Sequence, residues 1–274
     1  MNSPLALAGP LLLVGAGKMG GAMLQGWLKL GLDPKSVYVI DPQPAAEMQA
    51  ELEAHGIALN PFSVPEPNVV VLAVKPQIAK PALEAVSGHV GKGTLFVSIL
   101  AGITLGAIQA GLPAGTKIVR CMPNTPAAVG RGMTVLIGNA GVGDEERAVA
   151  SRLLEASGEV AWIDEEALMD AVTAVSGSGP AYVFLLAETL TQAGIEAGLP
   201  ADLAAQLARA TVSGAGELLH RSDLPPETLR QNVTSKGGTT AAALEVLMAA
   251  DGFASLLEKA VHAATERSRE LGRG

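Results

Sequence analysis

The stretch Leu11-Leu12-Leu13-Val14, followed by Gly15-Ala16-Gly17-Lys18-Met19-Gly20, limits the possible fold more than any other part of the chain. Four apolar residues without polar alternation suit a strand buried on both faces. The glycines stand at the first, third and sixth places of a dinucleotide-binding turn. The first permits a tight turn, the second lets the backbone approach a pyrophosphate, and the third allows a strand and helix to pack closely. Residues 21–30 read as that helix, with its N-terminal amides toward the phosphate charge. Glycine-rich strand-to-helix turns also occur in α/β proteins that bind no nucleotide, so the rest of the chain must decide.

Val37-Tyr38-Val39-Ile40 is the next strand, ending at Asp41-Pro42. Asp41 lies 24 residues past Gly17, about where a carboxylate would accept ribose hydroxyls and repel a 2′-phosphate. It could also simply start an Asp-Pro turn. No arginine follows it before Arg120, which favours NADH over NADPH. Further strands are expected at residues 57–59, 69–74, 95–100, 117–122, 133–137 and 160–163, with helices at 77–88, 105–110 and 144–157. This alternation implies right-handed βαβ units and a mainly parallel sheet, with ligands bound outside the carboxyl ends of the strands. Trp162 reads as a packing residue.

After Ile163 the β signals stop and the chain becomes helical and alanine-rich, at 165–175, 180–197, 201–220, 226–233, 239–250 and 252–271. The change of class sets a boundary between a dinucleotide-binding domain, 1–163, and a helical dimerisation and substrate-binding domain, 164–274. The expected class is therefore an α/β Rossmann domain followed by an all-α domain. Leu203, Leu207, Ala210, Thr211, Gly214 and Leu218 recur at three- and four-residue steps. Such a stripe is usually internal core, yet so thin a helical domain would bury its faces better against a second copy, so a homodimer is expected.

Two segments of this half suggest chemistry. Ser176-Gly177-Ser178-Gly179-Pro180 interrupts an apolar helix, either as a plain helix–helix turn or as a place for a ligand. Thr234-Ser235-Lys236-Gly237-Gly238-Thr239-Thr240 puts hydroxyls and glycines before a helix, where amides and OH groups could cradle a carboxylate. Simple N-capping would need only one of those hydroxyls.

Bulk properties narrow the partners. A net charge of -8 and a pI near 5.1, with no basic run, argue against nucleic acid. The N-terminal apolar stretch from Pro4 has no basic residue ahead of it, unlike a secretory segment, and reads as strand. No apolar run approaches the ~20 residues of a membrane span. The single Cys121 and four scattered histidines offer no metal-ligand spacing, and one thiol suits a reduced, cytoplasmic setting.

The string from Asn232 to Glu245, NVTSKGGTTAAALE, closely resembles the signature of pyrroline-5-carboxylate reductases. The glycine turn, Ala73-Val74-Lys75-Pro76, Arg120-Cys121-Met122-Pro123-Asn124-Thr125-Pro126 and Ser176-Gly177-Ser178-Gly179-Pro180-Ala181-Tyr182 match further family motifs in order. The resemblance implies NAD(P)H-dependent reduction of 1-pyrroline-5-carboxylate to L-proline, the last step of proline biosynthesis, by homodimers often assembled into decamers. It places Val14, Gly15, Ala16, Gly17, Lys18 and Met19 at the pyrophosphate. Asn60, Ala73, Val74, Lys75 and Pro76 fall on the adenosine side and Ile99, Leu100 and Ala101 on the nicotinamide side, with Asn232 also against the cofactor. Ser235, Gly238 and Thr239 would bind the substrate carboxylate, Thr240 would lie near the imine nitrogen as the catalytic hydroxyl, and Glu166 would touch substrate. Relatives often carry Ser or Arg near Asp41, so the aspartate here departs toward NADH.

Hydride transfer belongs to the cofactor, leaving the protein to orient the reactants and exclude water. No histidine acid is required, and His55, His89, His220 and His262 have no assigned role. A β-hydroxyacid dehydrogenase shares the domain order but would want a lysine in residues 165–175, which contain none. A non-catalytic nucleotide sensor would keep the glycine turn without the hydroxyl cradle.

Overall fold

The computed structural model describes residues 5–272. The outermost residues of the two expected domains, 1–4 and 273–274, lie outside it, Pro4 of the apolar N-terminal stretch among them. The chain divides into two compact units, one running to Gly177 and taking up again at Thr265, the other Ser178–Ala264. The strand signals end at Ile163, but residues 164–177 stay with the strands.

The first unit is built on an eight-stranded sheet: β1 (Leu11–Val14), β2 (Val37–Ile40), β3 (Ala58–Leu59), β4 (Val69–Leu72), β5 (Leu95–Ser98), β6 (Lys117–Met122), β7 (Gly132–Gly138) and β8 (Gly158–Trp162). Their order across the sheet is β3-β2-β1-β4-β5-β6-β7-β8, so the direction of winding reverses between β1 and β4. All pairs are parallel except β6 with β7. A parallel return needs a crossover of about a dozen residues or more, and β6 reaches β7 through only a short 3₁₀ turn, Thr125–Val129. The expected βαβ series is therefore interrupted there once.

The helices of this unit cover both sheet faces. Alternate residues of the strands, such as Leu11, Leu13, Val69, Val71 and Val97, pack with α1 (Lys18–Lys29), α2 (Ala46–His55) and α5 (Asp144–Glu155). The intervening Leu12, Val14, Val70, Leu72 and Phe96 pack with α3 (Ala79–Val86) and α4 (Leu105–Ala110). Burial on both sides is why these strands show no polar alternation. Trp27 is fully buried and donates from Nε1 to the Leu153 carbonyl at 2.7 Å, fastening α1 to α5. Trp162 is only partly buried, bonded to Ser151 Oγ at 2.9 Å with Arg147 stacked 4.7 Å above its ring.

Two helical stretches differ from expectation. Helix α2 gives no amphipathic signal, because only Leu52 of its ten residues is buried. The glycine-rich interruption near residue 177 is not a turn: α6 (Met169–Val172) runs into a π-helical turn, Thr173–Gly177, and Ser178 keeps right-handed helical angles before α7 (Gly179–Glu196). A widened turn lets the backbone take up an extra residue without leaving the helix.

The second unit consists of α7, α8 (Ala201–Arg221), α9 (Pro226–Asn232), α10 (Thr239–Leu247) and the start of α11 (Phe253–Leu271). In α8 the buried residues are Ala204 and Ala208, and Ala204 packs where a side chain on Gly194 of α7 would go. The stripe Leu203, Leu207 and Leu218 is exposed. Its leucines are thus not the internal seam of this unit. No described helix is long and apolar enough to cross a membrane.

Cys121 lies fully buried in β6, and burial pushes its thiol pKa up, so the thiolate is suppressed at any neutral pH. Native protein at pH 8 is expected to resist a thiol-alkylating reagent and to take up one equivalent once unfolded; mass spectrometry of both reactions checks this.

Candidate functional site

The strand register brings the turns into one row. Val14 pairs with Ile40 and Leu72, and Leu72 with Ser98, so Gly15, Asp41, Ala73 and Ile99 each stand one residue past a strand at the same edge. Backbone bonds fix them there: Gly15 N donates to Ile40 O at 2.8 Å, Ala73 N to Val14 O at 2.8 Å, and Ile99 N to Leu72 O at 3.1 Å. This is the carboxyl edge flanking the reversal of winding, where ligands of such sheets bind.

The three glycines differ as their expected tasks require. Gly15 has φ +90°, and a Cβ there would lie 2.7 Å from the Ala73 carbonyl oxygen. The loop Ala73–Pro76 therefore leans on the first turn. A Cβ on Gly20 would lie 2.1 Å from the Gly15 carbonyl oxygen, so only glycine lets α1 come this near β1. At Gly17 nothing lies within 4 Å of where a Cβ would stand. Its backbone faces open space at the start of α1, whose first turn has no side-chain cap and no acidic residue. Bare amides, the positive end of the helix dipole and the Lys18 ammonium together fit a pyrophosphate.

Asp41 closes the row. Its Oδ2 accepts from Ala16 N at 2.8 Å and its Oδ1 from Gln43 N at 2.9 Å. The carboxylate is thus pinned against the glycine turn rather than serving only a local turn. Asn60 holds the backbone beneath it: Asp41 N donates to Asn60 Oδ1 at 2.9 Å, and Asn60 Nδ2 donates to the Asp41 carbonyl at 2.7 Å. Asn60 has φ +48°, a left-handed conformation that asparagine tolerates. Asn60 stands on the side expected for adenosine, with its amide already engaged by the chain.

The loop from Ile99 to Ala101 leads through Gly102, at φ +76°, into α4. Behind it a cleft of about 390 Å³ is lined by Gly102, Thr104, Arg120, Glu166, Asp170 and Arg269. Arg120 is 5% exposed and donates to Glu166 Oε1 at 2.7 Å, and the Leu105 amide donates to the same oxygen at 2.7 Å. Glu166, expected to touch substrate, is thus a strut between the strand-end loop, β6 and the first turn beyond the sheet. The sequence reading names Arg120 within a motif and as the first arginine after Asp41 but gives it no role; the signal missed was a basic residue inside an apolar strand. Asn124 ties the same region together, accepting from Met133 N at 2.9 Å and donating to Ser176 O and Oγ at 3.3 and 3.2 Å. The 120–126 and 176–182 motifs meet through this asparagine.

In the second unit the hydroxyl cluster has a definite form. Helix α10 begins at Thr239, its N-cap is Gly238, and no side chain caps it. The hydroxyls of Ser235, Thr239 and Thr240 are therefore not used for capping, which removes the simple explanation for them. Gly237 has φ +72°, and Ser235 Oγ lies 2.5 Å from where a Cβ on Gly238 would stand, so a side chain there would displace that hydroxyl. Thr240 is half-buried, whereas Ser235, Thr239 and Asn232, which ends α9, are exposed.

Paired substitutions test the glycine turn. Gly17→Ala is expected to fold with an unchanged melting temperature and to weaken NADH binding about tenfold or more, because its methyl takes the open space. Gly20→Ala is expected to lower the melting temperature by several degrees, from an overpacking penalty of about 1–3 kcal/mol. Calorimetric melting and NADH titration of both variants check the split.

Comparison with known proteins agrees with this geometry. The family model for pyrroline-5-carboxylate reductase dimerisation matches residues 166–271. A model described as NADP oxidoreductase, coenzyme F420-dependent, matches residues 11–102, the span of the first five strands. The pyrroline-5-carboxylate reductase of Pseudomonas aeruginosa is 40% identical over 260 residues, covering 94% of this chain and 95% of that protein. The solved structure of the Coxiella burnetii pyrroline-5-carboxylate reductase aligns with a TM-score of 0.87 at 32% identity, over 98% of this chain and 99% of that one. That of the Plasmodium falciparum pyrroline carboxylate reductase, with NADP bound, aligns with a TM-score of 0.79 at 30% identity, over 97% and 98%. With its strand-edge glycine turn, its uncapped helix α10 and this likeness along nearly its whole length, the chain belongs to the pyrroline-5-carboxylate reductase family.

Proposed function

We infer that this chain reduces 1-pyrroline-5-carboxylate to L-proline with a reduced nicotinamide dinucleotide. The observation that carries the reading is the 40% identity to a pyrroline-5-carboxylate reductase across 94% of the chain. The structure adds two helix starts suited to anions, α1 behind a bare glycine and α10 beside three hydroxyls that cap nothing.

The bound cofactor supplies hydride to the imine carbon. In this reading the amides of Gly17, Lys18 and Met19 grip the pyrophosphate, with Ala73 to Pro76 and Ile99 to Ala101 flanking the two halves of the dinucleotide. Ser235, Gly238 and Thr239 hold the substrate carboxylate, fixing one end of a rigid five-membered ring. The Thr240 hydroxyl, or a water it holds, delivers the proton that the ring nitrogen needs to become an amine. Asp41 accepts from the ribose hydroxyls. Because two amides pin its carboxylate, it cannot swing aside for a 2′-phosphate, which supports a preference for NADH. A homodimer is the working unit. Its support is the dimerisation model over residues 166–271 and the exposed leucine stripe of α8, with Phe184 and Leu185 of α7 also exposed.

The direct test is loss of NADH absorbance on adding 1-pyrroline-5-carboxylate, with proline identified as product; no proline overturns the reading. Thr240→Ala is expected to lower kcat/KM for the imine roughly tenfold to a hundredfold, the loss of one strong hydrogen bond to a charged group, with the KM for NADH little changed. Steady-state kinetics with each substrate varied in turn separates the two. Asp41→Asn, which keeps an acceptor and removes the charge, is expected to raise the efficiency with NADPH relative to NADH by about tenfold. Measurement of kcat/KM for both cofactors checks it.

A further inference from the structure

Phe62 is the most exposed large apolar side chain among the described residues, and no packing contact explains it. Its exposure is 108%, more than an isolated reference residue would show, so it touches nothing in the chain. Only 4 phenylalanines occur among 274 residues, and the other exposed ones, Phe184 and Phe253, belong to the helices of the second unit. A single exposed apolar residue is common on protein surfaces and by itself carries nothing. Its attachment is what gives it meaning.

Phe62 follows Asn60 by two residues, so its Cα lies within about 7 Å of the Asn60 Cα. Asn60 is immobilised on three sides, by its amide bond to the Val39 carbonyl at 2.8 Å and by its two side-chain bonds to the Asp41 backbone. Asp41 in turn touches the glycine turn through Ala16 N. The far end of the same loop is also fixed, since Pro67 O accepts from Thr94 Oγ1 at 2.7 Å and Asn68 N donates to Pro10 O at 2.8 Å. Pro61, Pro65 and Pro67 restrict the backbone between these anchors. The backbone that carries the ring is therefore fixed close to Asn60 and Asp41, just past the end of β3 at the edge of the strand row. A nucleoside whose ribose reached Asp41 would carry its base in this direction.

We propose that the Phe62 ring is the stacking platform for the adenine of the dinucleotide, so that this chain holds its cofactor at the base as well as at the ribose. The proposal rests on the cofactor reading above. A purine offers a flat π-face, and stacking on an aromatic side chain is tolerant of ring substituents while adding affinity without any hydrogen bond. The contact lies far from the reacting ring, so it acts on binding and not on the chemical step.

The test measures binding of ADP-ribose, which contains the base, ribose and pyrophosphate but no reacting ring, by calorimetric titration of the full chain. Phe62→Ala is expected to weaken ADP-ribose about tenfold, with Phe62→Trp restoring it and an unchanged melting temperature, because the side chain contacts nothing. In turnover the same variant is expected to raise the KM for NADH by a similar factor at constant kcat, and to leave unaltered the rate with reduced nicotinamide mononucleotide, which lacks the adenosine. Equal ADP-ribose affinity in Phe62→Ala and the unaltered chain overturns the proposal, as does an equal loss with the mononucleotide. Failure of the unaltered chain to bind ADP-ribose at all would instead overturn the cofactor reading, and the stacking platform with it.

Discussion

The approach of α1 to β1 sets what the carboxyl edge of the sheet can do. With the virtual Cβ of Gly20 only 2.1 Å from the Gly15 carbonyl, the helix axis starts almost on top of the strand end. Its free amides are thereby aimed along the row formed by Gly15, Asp41, Ala73 and Ile99. Any side chain at Gly20 would push the helix outward and turn the donors away from that row. The neighbouring loop takes part in the same contact, because Gly15 closes against the Ala73 carbonyl. Close packing thus sets the geometry that the proposed anion recognition would use, and the pinned carboxylate of Asp41 adds the third side.

The second unit uses the same physics with different means. Helix α10 also opens on a glycine with no side-chain cap, but hydroxyls rather than a glycine-lined hollow surround its first turn. On the proposed reading a diphosphate, large and doubly charged, would be met by backbone donors and a lysine. A single carboxylate is smaller, and hydroxyls can both orient it and share a proton with a nearby nitrogen. The difference between the two helix starts matches the difference between the two anions.

Much of this was legible in the chain. The strands β1, β2 and β6 run where apolar and β-branched residues place them, most plainly in β1, whose burial on both faces leaves an unambiguous mark. Helix α2 was illegible for the opposite reason: it buries Leu52 alone, so no periodicity records it. The Ser176–Gly177 region read as a break because small residues favour turns, yet here they allow a widened helical turn, with Met122 packed where a Gly177 side chain would be. Hydroxyl-rich residues 234–240 announced themselves, while Arg120 did not. Its charge is matched by Glu166, which lies 46 residues away, and no local pattern links the two.

That ion pair has a mechanical meaning. The carboxylate of Glu166 is the point where the chain, having finished its sheet, begins the segment matched by the dimerisation model, and the same oxygen grips the first amide of α4 below the Ile99–Gly102 loop. One oxygen atom thus ties three pieces of the first unit that lie far apart in sequence, and loss of this carboxylate would leave the buried Arg120 guanidinium without its counter-charge.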